Sequence, residues 1–181
     1  MQSKGYFSEY FKIIERGLAS IDPGQLEQAA TIVRDGQQTG RKVIIVGNGG
    51  SAAIASHVAV DFTKVAKIRA INFNEADLIT CFANDYGYDQ WVAMALEAYA
   101  DKGDVAILIS SSGKSPNIVN GAKKAKEMGL AVVTLSGFDA HNPLRELGDI
   151  NLWVDSSAYN AVEMTHQIWL LSIADYLATH E

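Results

Sequence analysis

His57 and Asp61 stand four residues apart in the segment GSAAIASHVAVDFTK, and Glu163 and His166 stand three apart in NAVEMTHQIWLL. On a helix either spacing brings the two side chains to one side. An imidazole beside a carboxylate is a pairing that general acid–base chemistry uses, and two histidines with two carboxylates are also donors that suit a divalent ion such as zinc. The second pair is embedded among Val162, Ile168, Trp169 and Leu170. Carboxylates and imidazoles in such company are costly unless paired or bound, so these groups either act on a ligand or satisfy one another in a buried network or an interface ion pair.

Two turns carry a different chemistry. GNGGS, residues 47–51, follows the apolar run KVIIVG, and SSSGKSPN, residues 110–117, follows DVAILIS. Short β-branched runs bounded by glycine read as buried strands, and each turn opens a helical pattern. At the carboxyl end of a parallel strand, a helix start presents free N–H groups and the positive end of its dipole, which suits an anion. Ser115 is placed as an N-cap with Pro116 at the first helical position and Gly129 as the C-terminal stop. Ser110, Ser111, Ser112 and Ser115 thus cluster at one helix start and can cradle phosphate without a basic patch. Serines there are also ordinary caps; four of them in a strand–turn–helix context favour a ligand.

The elements that must position these groups alternate along the chain. Phe7, Tyr10, Phe11, Ile14, Leu18 and Ile21 form one stripe of a leading helix, and after a break at Pro23-Gly24 the segment QLEQAATIVRDGQQ reads as a second. Strands are expected at KVIIVG, RAINF, DVAILIS, AVVTLS and INLWV. Helices are expected over about 51–67, at EADLITCFAND, YDQWVAMALEAYA and SPNIVNGAKKAKEMG, briefly over 143–147, and from about residue 158 to the end. The expected fold class is α/β, a three-layer sandwich with a five-stranded parallel sheet flanked by helices. The 181 residues read as one domain, with leading helices over 1–40 and an α/β core over 41–181.

Composition excludes several classes. Fifteen basic against 21 acidic residues give a net charge of −6, so no general attraction to nucleic acid or anionic membrane is expected. Cys81 is the single cysteine, which removes an internal disulfide and a cysteine-rich zinc module and fits a reducing cytoplasm. The first residues mix charge into apolar positions, unlike a signal peptide, and residues 43–60 are too interrupted for a membrane span. Gly113-Lys114-Ser115 lacks the earlier glycine of a nucleotide P-loop, because Leu108 stands there. Gly47, Gly49 and Ala52 match a dinucleotide fingerprint, but its acidic partner about 20 residues on is missing.

Taken together, GNGGSAA, His57-x-x-x-Asp61, ANDYGYD at 83–89 and ISSSGKSPNIV at 109–119 resemble the sugar isomerase (SIS) domain, and within it the phosphoheptose isomerases, which convert sedoheptulose 7-phosphate. The resemblance covers nearly the whole chain. It implies the SIS fold and a homotetramer with active sites between subunits, the leading helices serving oligomer packing. It also implies phosphate at Ser110, Ser111, Ser112 and Ser115, sugar along Asn48, Gly49, Ser51 and Glu163, and hydroxyls at Asp85, a residue that could equally be turn chemistry.

Departures from the family fall at the catalytic positions. The base of aldose–ketose isomerisation, a glutamate in the family, is here Asp61, one methylene shorter, and displacement by about 1 Å can cost on the order of a hundredfold. The family's final helix places its catalytic histidine where this chain has Leu171, leaving His166 as the substitute acid. Zinc, which some relatives hold at matching positions, would fall to His57, Asp61 and Glu163, though no cofactor is required by the resemblance. Three readings follow: an isomerase of a ketose or aldose phosphate through an enediol; a non-catalytic phosphosugar-binding or regulatory protein, like the replication-initiator-associating protein; and, from the incomplete fingerprint, a dinucleotide-dependent enzyme.

Overall fold

The computed structural model describes residues 5–180. Its chain order is α1 (Tyr6–Leu18), α2 (Pro23–Gln38), β1 (Val43–Gly47), α3 (Gly50–Lys64), β2 (Ala70–Asn72), α4 (Ala76–Tyr86), α5 (Trp91–Tyr99), β3 (Val105–Ser110), α6 (Pro116–Glu127), β4 (Ala131–Ser136), β5 (Ile150–Trp153) and α7 (Tyr159–Thr179). The five strands form one parallel sheet in the order β2-β1-β3-β4-β5. β1, β3 and β4 are buried on both faces, which is why they read as largely apolar, uncharged runs.

Successive side chains of each strand enter opposite layers. Val43, Ile45, Val105, Ile107 and Ile109 pack with Ile54, Val58 and Phe62 of α3, Ala29, Ala30 and Val33 of α2, and Trp169 and Ile173 of α7. Ile44, Val46, Ala106 and Leu108 pack on the other face with Trp91, Val92 and Leu96 of α5 and Ile118 and Ala122 of α6. The sheet grows from β1 toward β2 in one direction and from β3 toward β4 in the other. Crossovers of one hand therefore put α3 and α6 on opposite faces, and the carboxyl ends of β1 and β3 meet at the reversal point, Gly47 beside Ile109.

Three expectations about local structure change. Pro23 and Gly24 lie inside the first turn of α2, with the Asp22 carboxylate accepting from Gly24 N–H at 3.0 Å, so the break falls before them. The helix expected over 143–147 is a run of turns instead, with Arg145 N–H donating to Asn142 O and Leu147 N–H to Leu144 O. α3 stops at Lys64, and Lys67 adopts the left-handed conformation (φ 58°) more usual for glycine after a helix. The apolar stripe of α1 is only partly covered: Leu18 packs on the core, whereas Phe7 and Phe11 remain 68% and 65% exposed.

Candidate active site

The turns after β1 and β3 enclose a cavity of about 110 Å³ lined by Asn48, Ser51, Ile109, Ser110, Ser111, Ser112, Ser115, Tyr159 and Glu163. Ser110 Oγ donates to Ser115 Oγ (3.0 Å), and the Ser112 hydroxyl accepts from Lys114 N–H (3.2 Å). Ser115 occupies the N-cap position of α6, but its side chain does not cap the helix. Its hydroxyl belongs to the turn, so the first N–H groups of α6 keep no side-chain acceptor and can receive an anion. Lys114 stands at the rim, 3.2 Å from the Asp139 carboxylate. The cavity therefore offers hydroxyls and peptide dipoles, with no cation lining it.

The opposite wall comes from α3 and α7. Glu163 accepts from Ser111 Oγ at 3.4 Å, and its carboxylate lies so close to the Cα of Gly50 that a Cβ there would collide with it. Glycine at the start of α3 is thus what admits this carboxylate. Ser51 is buried and lines the cavity, while Gly49 takes the positive φ (53°) of the turn and lines nothing. Asn48 does more than face a ligand. Its amide and that of Asn117 exchange hydrogen bonds at 3.0 and 2.9 Å, and Tyr88 OH donates to Asn48 Oδ1 at 3.2 Å. Asn117 is 1% exposed, so this reciprocal amide pair rivets the two turns together. Neither Asn117 nor Tyr159 stood out in the sequence; Asn117 had a signal in its place right after the Ser115-Pro116 helix start, and Tyr159 had none.

Asp85 lies on α4, exposed, accepting from Asn84 Nδ2 at 2.9 Å, and it does not line the cavity. His57 and Asp61 share the outward side of α3 with Nε2 and Oδ2 3.6 Å apart, and Gln167 of α7 approaches His57 Nδ1 at 2.8 Å. A 1.5 Å rise per residue puts His57 about 9 Å and Asp61 about 15 Å along the axis from Ser51. The metal set His57, Asp61 and Glu163 is therefore not assembled: Glu163 lies over the first residue of α3, and among the described residues no three His, Cys, Asp or Glu side chains come together to hold an ion.

His166 stands apart from the cavity. It is fully buried, its Nε2 is 3.1 Å from the carbonyl of Ser136 at the end of β4, and its Nδ1 has no partner. Burial pushes its pKa from 6.5 down to about 4, against the opposing pull of the Ser136 carbonyl. It lines no part of the cavity, and its bond to the Ser136 carbonyl ties α7 to the end of β4. Leu171, at the position of the missing histidine, packs against the core. A larger cavity of about 400 Å³ lies at the amino edge of the sheet, around Arg34, Gln37, Lys67 and His180. Its groups are largely committed to helix ends: Lys67 Nζ to Lys64 O, Gln37 to Lys67 O and His180 to Tyr176 O.

The SIS domain model matches residues 5–137. Phosphoheptose isomerase of Campylobacter concisus is 36% identical over 156 residues, covering 83% of this chain and 82% of the relative. That of Helicobacter pylori strain P12 is 31% identical over 180 residues, covering 96% of this chain and 93% of the relative. The solved structure of a phosphoheptose isomerase from Francisella tularensis superposes with a TM-score of 0.90 at 26% identity, over 99% of this chain and all of that one. Motifs, sheet order and likeness over nearly the full length agree: the chain belongs to the SIS domain family, in its phosphoheptose isomerase branch.

Proposed function

We propose that this protein is an aldose–ketose isomerase acting on sedoheptulose 7-phosphate or a close relative. The observation that carries the reading is the hydroxyl-lined cavity at the reversal point of the sheet, beside an uncapped α6, in a chain similar throughout to phosphoheptose isomerases. The phosphate lies against Ser110, Ser111, Ser112 and Ser115 and the first N–H groups of α6. Sugar hydroxyls extend past Asn48 and Ser51 toward Glu163, whose carboxylate accepts from them. Ligand pockets usually measure about 300–1,000 Å³, so a cavity of about 110 Å³ fits the phosphate end rather than the whole sugar.

The carbons that react must therefore lie outside it. From the phosphorus of an extended heptose 7-phosphate to C2 is about 9 Å at 1.2–1.3 Å per bond, short of the roughly 15 Å that separates Asp61 from the cavity along α3. A second copy of the chain supplies its own His57–Asp61 pair to complete the site. Two features support this. Val60 on α3, which carries the pair, and Met164 and Ile168 on α7, which carries Gln167, are exposed apolar residues, and the stripe of α1 presents Tyr6, Phe7 and Phe11 outward. The resulting assembly is a homo-oligomer, a tetramer in the reading that the family suggests, and a cytoplasmic one given the single cysteine. Asp61 moves the proton between C1 and C2, and His57, hydrogen-bonded by Gln167 and facing Asp61, is the imidazole left beside it.

A second reading, phosphosugar binding without turnover, is favoured by one observation: Leu171 and the buried His166 leave the usual acid position without a replacement. Turnover of sedoheptulose 7-phosphate by wild type and Asp61→Asn separates the two. The isomerase reading expects a loss of about a hundredfold or more in Asp61→Asn. Absence of turnover in wild type, with saturable binding that Ser112→Ala weakens, would leave the binding reading standing.

A further inference from the structure

We infer that Asn142, in the loop after β4, is a positioning residue for phosphate binding: it holds the Ser110–Ser115 turn in its anion-receiving shape from beneath, without touching the ligand. The inference rests on the reading of that turn as the phosphate site. Because nothing cationic lines the cavity, affinity depends on where hydroxyls and peptide dipoles point, and whatever fixes the turn fixes the affinity.

Asn142 is fully buried. Its Nδ2 donates toward Ser136 Oγ (3.1 Å), Gly137 O (3.3 Å) and Asp139 O (2.8 Å), while its Oδ1 accepts from Arg145 N–H (2.9 Å). Two of those acceptors are carbonyls and the donor on the far side is a peptide N–H, so the amide has one workable orientation. Gly113, at the crest of the serine turn, sits directly on this side chain. Its φ is +65°, and a Cβ there would overlap Oδ1, Cγ and Cβ of Asn142. The same loop engages the turn's backbone: Gly137 N–H donates to Ser111 O (2.9 Å) and Leu144 N–H to Gly113 O (3.1 Å). Those two carbonyls would repel an anion if they faced the cavity. Their capture by the loop that Asn142 organises leaves the turn presenting donors.

The test measures inorganic phosphate binding by calorimetry, with thermal melting of every variant, on wild type, Ser112→Ala, Asn142→Asp, Gly113→Ala and the distant control Asn151→Ala. Asn142→Asp keeps the shape and replaces the donors with an oxygen facing two carbonyls. It is expected to weaken phosphate binding by about ten- to a hundredfold. KM for the sugar phosphate should rise in step, with kcat little changed. Gly113→Ala alters the same contact from the other side, and it carries the test if Asn142→Asp does not fold. Combining the two should cost less than the product of the single effects. Asn151→Ala, which removes a hydrogen bond to Thr134 between β4 and β5, is expected to lower the melting temperature and leave phosphate affinity alone. Phosphate binding that Ser112→Ala abolishes but Asn142→Asp and Gly113→Ala leave at the wild-type value overturns the inference by itself. Wild-type binding indifferent to Ser112→Ala overturns the phosphate reading of the turn, and the inference with it.

Discussion

His166→Gln tests whether the buried imidazole is a support or an acid. Glutamine can keep one N–H donor for the Ser136 carbonyl while removing the titration. With a pKa of about 4 in the folded chain and 6.5 as its ordinary value, His166 binds its proton far less readily when folded. Its contribution is therefore complete above about pH 7 and is lost as the pH falls from 6.5 toward 4. The full difference is about 3 kcal/mol, and by pH 5 some 2 kcal/mol of it is gone. Urea unfolding at pH 7, 6 and 5 should show wild type losing about 2 kcal/mol more than His166→Gln over that range. The other three histidines are common to both proteins and cancel. Parallel stability curves would refute the buried, neutral assignment. A His166→Gln protein of normal stability that has lost turnover at pH 8 would refute a purely supporting role.

Three further outcomes follow from the packing. Asp104 is 1% exposed, 2.6 Å from Lys42 Nζ, and accepts from the N–H groups of Lys42 and Asp101. Asp104→Ala takes one of two carboxylates from the buried Lys42 ammonium, leaving only Asp101 at 2.8 Å, and deprives two peptide N–H groups of their acceptor, so it should cost about 3 kcal/mol in urea unfolding. Burial would lower the pKa of Lys42, but the carboxylates of Asp101 and Asp104 outweigh it and raise the value above 10.5, so the pair's support should weaken as the pH climbs past that point. Asn117→Ala leaves the Asn48 amide without its reciprocal partner, for an expected loss of about 1–3 kcal/mol by the same assay. Phe11→Ser on the uncovered stripe of α1 should shift the protein to a smaller species in sedimentation while leaving its circular dichroism unchanged.

Much of the architecture was legible because the strands that matter most are central ones. VIIVG, VAILIS and AVVTLS are buried on both faces, and short runs so largely apolar and free of charge have few other uses at that length. The serine turn was legible for a related reason: small and hydroxylated residues between a strand and a helix start leave room for a ligand. The separation of His166 from Glu163 was not legible, because a spacing of three on a helix leaves two side chains about 60° apart around the axis. That angle suffices for Glu163 to face the cavity while His166 faces the sheet. The placing of Glu163 away from His57 and Asp61 was not legible either, since a set on two helices requires a relative offset that no spacing within one helix encodes. Asn142 was invisible, and the role of Asn117 was hidden despite its place beside a helix start, because a buried amide and a solvated one look alike in a sequence and only the partner, 69 positions away for Asn117, distinguishes them.

The strand order carries a consequence for how the protein comes together and comes apart. β1 pairs with β2 on one side, but the pocket opens on its other side, where it meets β3, and between them in the chain lie α3, β2, α4 and α5. The cavity has no local precursor, because half of it belongs to each side of that seam. Loop closure over so long a stretch comes before any contact in the seam can reward it, so this step should be slow among the events of folding. Conversely, a ligand that spans the seam stabilises only chains in which the whole sheet is closed. Its binding energy adds to the global unfolding free energy through mass action, and hydrogen exchange at β1 and β3 should slow together when phosphate is added.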